Sequence, residues 1–405
     1  MTESNMNPDL SRLQPYPFEK LKALFQGVTP DARYKPIALQ IGEPKHKTPE
    51  FIVRAVADNL SGLAAYPATA GVPELRRAIA GWMQRRYKLP AVDADTQVLP
   101  VNGSREALFA LAQTVVDRTR NAGAAPVVVC PNPFYQIYEG AAILAGGEAY
   151  YVNTPAANGF AADYGQVPET VWKRTQLLYV CSPGNPTGKV MRIAEWKNLF
   201  ELSDRYDFVI ASDECYSELY FDEGRPPMGA LQAAHELGRG DFHRIMMFSS
   251  LSKRSNVPGM RSGFVAGDAE LIKAFLLYRT YHGSAMAPAV QSASIAAWQD
   301  EAHVVENRRL YVEKYRAVLP IVSKALKTAM PEGGFYLWAQ TPGSDTDFAR
   351  GLLGAYNVTV LPGSFLAREA HGVNPGAGFV RIALVAGLAE CVEAAERMVR
   401  YAAGR

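Results

Sequence analysis

The feature that most constrains the fold is a series of short apolar runs. Each closes on small or polar residues and leads into a stretch with helical spacing. QVLPVN leads into GSREALFALAQTVV, and APVVVCP into YQIYEGAAILAGG and then EAYYVN. TQLLYVCSP leads into IAEWKNLFELSDRY, and DFVIASDEC, RIMMFSSL and SGFVAGD complete the series. Val- and Ile-rich runs alternating with helices predict βα units, a mostly parallel sheet and an α/β fold. Ligands of open α/β sheets gather at the carboxyl ends of the strands, so the chemistry is expected just after these runs.

The flanks read differently. Residues 1–35 form an arm with a helical piece, PFEKLKALF, after Tyr16. The stretch from Lys35 to Ile41 reads as a strand that stops at Gly42. Helices are expected over Pro49–Leu63, capped by Thr48, and over Gly71–Lys88, with Pro73 and Glu74 in the first turn. After Pro288 the pattern is helical to about Lys327, and the strands GGFYLWAQ and GFVRIAL follow. The expected organisation is an arm and part of a small domain over 1–48, a large domain over 49–290 and a small α+β domain over 291–405.

Composition sets the outer bounds. With 405 residues, 48% of them hydrophobic, the chain can fill about two to three domain cores. A net charge of +2 argues against a nucleic-acid binder, which needs clustered cations. No apolar run approaches the ~20 residues of a membrane helix. MTESNMNPDL lacks the layout of a signal peptide, and Cys130, Cys181, Cys215 and Cys391 form no CxxC pair. A cytoplasmic protein with reduced thiols is expected.

Several chemistries are set aside. Gly184–Lys189 approaches a P-loop, but it has one residue too few between the glycines and Val190 in place of Ser or Thr. No GxGxxG follows the first strand, and neither HExxH nor GxSxG occurs.

Five patterns remain, in fixed order at strand ends. Asn102-Gly103-Ser104-Arg105 opens a helix, an arrangement that offers backbone N–H groups to a phosphate; alone it is also an ordinary cap. Pro131-Asn-Pro-Phe134-Tyr135-Gln136-Ile-Tyr138 is an aromatic cluster. Ser182-Pro-Gly-Asn185-Pro-Thr-Gly188 is a rigid turn. Asp213-Glu-Cys-Tyr216 follows a buried run, where a carboxylate needs a partner or caps a helix. Ser250-Leu-Ser-Lys253-Arg254 is followed by Arg261, eight residues beyond Lys253.

Together these resemble the class I/II aminotransferases, the pyridoxal 5'-phosphate (PLP) enzymes of the aspartate aminotransferase fold, fold type I. The resemblance runs from Gly42 to Arg381. It implies that Lys253 joins the cofactor aldehyde and later moves the substrate Cα proton. Its pKa would be lowered by partial burial and a cation such as Arg261. It implies that Asp213 keeps the pyridine nitrogen protonated and that Tyr216 and Asn185 contact the 3'-oxygen. Gly103, Ser104, Arg105, Ser250 and Arg261 would bind the phosphate, Gly103 to Arg105 mainly through their backbone. Tyr135 matches the aromatic stacked on the ring; Gln136 replaces the usual proline after it, which keeps Phe134 in play. Arg381 and Gly42 match the groups at the substrate α-carboxylate. Tyr66 matches a tyrosine that reaches the phosphate of a neighbouring subunit, which implies a homodimer; from its residue type it is equally a core aromatic.

The stretches LQPYPFEKLKAL, SLSKRSNVPGMRSGFVAGD, LPGSFLAREAHGVNPG and GFVRIALVA are similar to bacterial N-succinyldiaminopimelate aminotransferases of lysine biosynthesis. That implies ping-pong transfer from glutamate to N-succinyl-2-amino-6-oxopimelate. Tyr16, Lys45, Arg254 and Gly333–Tyr336 are the candidate contacts to the distal ends of the substrates. Another specificity (aromatic, alanine or acetylornithine type) or a C–S β-lyase would keep the same motifs. A PLP-sensing transcription regulator would need a DNA-binding domain, for which about 35 residues before the first strand leave no room.

Overall fold

The computed structural model describes residues 6–120 and 123–404. The described residues form twelve strands: β1 (Ile37–Ala38), β2 (Val98–Val101), β3 (Val127–Asn132), β4 (Glu148–Asn153), β5 (Thr175–Cys181), β6 (Val209–Asp213), β7 (Ile245–Ser250), β8 (Gly263–Gly267), β9 (Tyr336–Gln340), β10 (Val358–Thr359), β11 (Leu361–Pro362) and β12 (Phe379–Ala383). Seven make one sheet in the order β2-β8-β7-β6-β5-β3-β4. β8 runs antiparallel to both neighbours, and the pairs from β7 to β4 are parallel. The chain is thus α/β with a mostly parallel central sheet flanked by helices.

Alternation along these strands builds a core on each face. Val127, Val129, Leu178, Val180, Ile210 and Met247 join one cluster with Trp82, Trp196 and Trp298. Val128, Cys130, Leu177, Tyr179, Ala211 and Phe248 join the other with Leu108, Leu111 and Tyr138.

β11, β12 and β9 form a second, antiparallel sheet, and β1 pairs in parallel with β10. Helices Ala302–Val322, Asp345–Tyr356 and Leu388–Ala403 pack here, and Ile37 and Leu39 from the N-terminal region enter this core. The expected boundary at 290 falls inside helix Pro288–Gln299. Ala293, Ala297 and Trp298 of that helix lie in the large-sheet core, so the boundary belongs after it.

Two local expectations are corrected. The helix expected over Pro49–Leu63 is α-helical only over Glu50–Asp58, then continues as a 3-10 turn over Leu60–Ala64. Thr48 does not cap it: Pro49 stands at the N-cap with no side-chain cap bond, and Thr48 Oγ1 donates to Asn256 O at 2.9 Å. No helix among the described residues is long and apolar enough to cross a membrane.

Candidate active site

Strand ends of the large sheet open onto a cavity of about 690 Å³. β7 ends at Ser250, and helix Leu251–Arg254 carries Lys253 to the cavity wall. Lys253 Nζ donates to Gly42 O at 2.6 Å. Its pKa is pushed down to about 8, chiefly by burial; Cys215 and Glu43 oppose the shift, and Arg381 and Arg105 add to it. Arg261, the cation expected to do this, is not among these groups.

Asp213 closes β6. Tyr138 Oη donates to its carboxylate at 2.8 Å and the Cys215 N–H at 3.2 Å. Burial raises its pKa against these hydrogen bonds. The chain then continues as a turn, so Asp213 caps no helix. Tyr216 Oη lies 2.9 Å from Tyr336 Oη, and both tyrosines are buried on the cavity wall.

Arg381, on β12, is 4% exposed. It donates to Asn185 Oδ1 and to Gln40 O, each at 2.9 Å, and its guanidinium sits 4.4 Å over the Tyr336 ring. Its Nε has no hydrogen-bond partner. A buried cation matched by neutral oxygens favours an incoming carboxylate. At Gly42 a Cβ would collide with Tyr336 Oη, so the glycine is what lets this backbone approach.

Helix Ser104–Val115 leaves β2 with Gly103 at its N-cap in a left-handed conformation, φ +85°. A Cβ at Gly103 would strike the Arg261 guanidinium. Glycine therefore lets Arg261 close on the helix N-terminus, whose first N–H groups have no partner within the helix. Ser104, Ser250, Ser252 and Arg261 line this end of the cavity. A helix end, hydroxyls and an arginine fork fit a phosphate dianion, and a buried carboxylate at Asp213 fits a protonated ring nitrogen. The residues present therefore fit PLP.

Other expected residues divide. Tyr135 lines the cavity and its Oη accepts from Arg105 Nε at 2.6 Å, whereas Phe134 is buried in the core. Tyr66 is fully exposed and lies off the cavity, so it is no core aromatic. Tyr16 and Tyr336 line the cavity; Lys45 is exposed elsewhere, and Gly333 to Phe335 stay behind the wall. Arg254 is no substrate contact. It is 1% exposed and donates to Ala297 O, Asp300 O and the Glu301 carboxylate.

Sequence reasoning missed Tyr138 as the partner of Asp213, Ser252 on the cavity wall and the Arg105 side chain as a cavity group. Tyr138 and Ser252 lay inside quoted motifs, but residue type alone does not say where a side chain reaches. Among the described residues no cluster of His, Cys, Asp or Glu could hold a metal ion.

Comparison with known proteins gives the family. A family model described as aminotransferase class I and II matches residues 34–398. An LL-diaminopimelate aminotransferase of Nitratidesulfovibrio vulgaris (strain DP4) is 32% identical over 400 residues, 96% of this chain and 97% of that protein. A crystal structure of an aminotransferase from Neisseria meningitidis Z2491 is 55% identical with a TM-score of 0.94, covering 98% of this chain and 100% of that one. Aminotransferase AspB from Helicobacter pylori 26695 is 33% identical with a TM-score of 0.88, covering 97% and 100%.

Proposed function

Since the chain belongs to the class I and II aminotransferase family, whose cofactor is PLP, we propose that it carries an amino group from glutamate to N-succinyl-2-amino-6-oxopimelate. The observation that carries this reading is a third cavity arginine. Arg381 suits an α-carboxylate and Arg261 a phosphate; Arg105, tied to Tyr135 beside Tyr16, is left for a second carboxylate. Glutamate and acylated diaminopimelate both carry one. Relatives named LL-diaminopimelate aminotransferase support the same carbon skeleton, and they favour a second reading in which the substrate is not acylated.

Bound PLP supplies an aldehyde that accepts the amino group and a protonated ring that draws electrons from the substrate Cα. The chain does the rest. Arg381 and Asn185 hold the α-carboxylate, which fixes the Cα–H bond relative to Lys253. Lys253 Nζ would take the proton from the substrate Cα and, for the incoming keto acid, would deliver a proton to that carbon. Asp213, steadied by Tyr138, holds the proton at the ring nitrogen. Ser250, Ser252, Arg261 and the helix N-terminus would anchor the phosphate, Tyr135 would face the ring, and Tyr216 and Asn185 would hold the 3'-oxygen. The working unit is a homodimer in which Tyr66 reaches the partner's phosphate site. The four free cysteines suit the reducing cytoplasm.

An absorbance titration of the holoenzyme tests the substrate. Conversion of the cofactor band by glutamate and by N-succinyl-LL-diaminopimelate is expected. Conversion by LL-diaminopimelate but not its succinyl derivative selects the second reading. Conversion by glutamate alone moves the acceptor elsewhere.

A further inference from the structure

Asn307, on helix Ala302–Val322, is 2% exposed and uses both ends of its amide. Nδ2 donates to Lys253 O at 3.1 Å and to Arg254 O at 3.3 Å. Two carbonyl acceptors fix which end of the amide is nitrogen. Oδ1 then accepts from Asn256 Nδ2 at 3.0 Å and lies 2.8 Å from His46 Nδ1, so His46 carries its proton there. His46 packs on the Tyr311 ring at 4.5 Å, and burial pushes its pKa down, which keeps it neutral.

The two segments joined here both touch the reacting groups. The one holding His46 also holds Gly42, whose carbonyl takes Lys253 Nζ, and Gln40, whose carbonyl takes Arg381 Nη2. Thr48 adds a second tie to the Lys253 turn through Asn256 O. The four contacts of the Asn307 amide all go to these two segments.

We propose that Asn307 is a positioning residue for the reactive lysine. With His46 it locks the backbone that carries Lys253 against the backbone that carries Gly42, and so sets where the amine rests when it is not bonded to the cofactor. Because the amide sits on a helix packed in the C-terminal core, a shift of that helix moves the amine. The proposal rests on the reading that Lys253 moves the proton.

Asn307→Ala and His46→Ala holoenzymes test it. Asn307→Ala is expected to lower kcat about tenfold or more, the scale of a small misplacement. KM for glutamate should change less than kcat, because Arg381 keeps its place on β12 and its hydrogen bond to Asn185. The pH midpoint of the bound cofactor's absorbance should move by about half a unit or more. His46→Ala, which cuts one arm and leaves the Lys253 carbonyl bonded, should change the same quantities less; it carries the test if Asn307→Ala does not fold. If kcat and the midpoint stay unmoved while only the melting temperature falls, Asn307 merely braces the fold and the proposal is overturned. Borohydride reduction and peptide mapping separate the two readings: PLP fixed to a residue other than Lys253 sinks the underlying one instead.

Discussion

On the proposed mechanism, Lys253 must be neutral to join an aldehyde and charged to pass a proton on. A pKa of about 8 puts both forms within reach near neutral pH. Burial is the main cause, since the charged amine loses water on entering the cavity. In cofactor-free protein the amine is then charged below about 8 and neutral above. Capture of added PLP should accelerate as pH rises through that value and then level off, which stopped-flow absorbance follows; a flat profile would contradict the assignment. The sign for stability is the same. Between about 8 and the ordinary 10.5 the unfolded chain holds the proton longer, so the fold gains stability as pH rises. Lys253→Ala should abolish turnover and leave PLP bound without a covalent link. At Asp213, Tyr138→Phe removes a hydroxyl donor from a buried carboxylate. We expect kcat to fall about tenfold, the scale of a hydrogen bond to a charged group. Lys253 and Asp213 were legible as charged residues at the close of an apolar run, and Arg381 as a lone charge in the middle of one. Arg105 was not: a helix N-terminus implicates the backbone and says nothing about a guanidinium reaching Tyr135.

At the level of elements, long strands were legible and short ones were not. β3, β5, β6 and β7 are buried on both faces and read as largely continuous apolar runs. β1 and β10 have two residues each, too few for any period to show, and their pairing is set by tertiary contact. Gln136, where proline was expected, has a structural reason: its Nε2 donates to Phe134 O and Leu366 O. It belongs to a junction between the end of β3 and the segment after β11. Phe134 N–H donates to Leu366 O, the Asn132 amide bonds the Arg368 backbone both ways, and Arg368 grips Glu139 through two hydrogen bonds of 2.7 and 2.6 Å. Both charges are largely buried. Arg368→Ala would leave the buried Glu139 carboxylate without its cation and with the Tyr151 hydroxyl as donor, so a loss of about 3 kcal/mol is expected in urea unfolding. A loss below about 1 kcal/mol, the value of an exposed pair, would mean that water reaches the junction.

On the scale of the whole molecule, the arm returns to the cavity. Tyr16, Pro17 and Phe18 line its wall, while Leu21 packs with Trp338, Leu361 and Leu366. No periodicity foretells such a return, because it depends on where a distant sheet lies. Tyr66 presents the opposite case: a fully exposed aromatic, with Leu60 and Leu63 exposed beside it, on a surface the single chain does not cover. If it serves the partner's phosphate site, Tyr66→Ala should weaken PLP binding about tenfold, as for a lost hydrogen bond to a charged group. Mixing then decides whose site it serves. A hybrid of a Tyr66→Ala chain and a Lys253→Ala chain pairs the intact Lys253 of the first with the intact Tyr66 of the second. Tight PLP binding and turnover at limiting cofactor should appear after subunit exchange, though neither parent shows both. If Tyr66 acts within its own chain, the site that keeps Lys253 still lacks it, and mixing restores nothing.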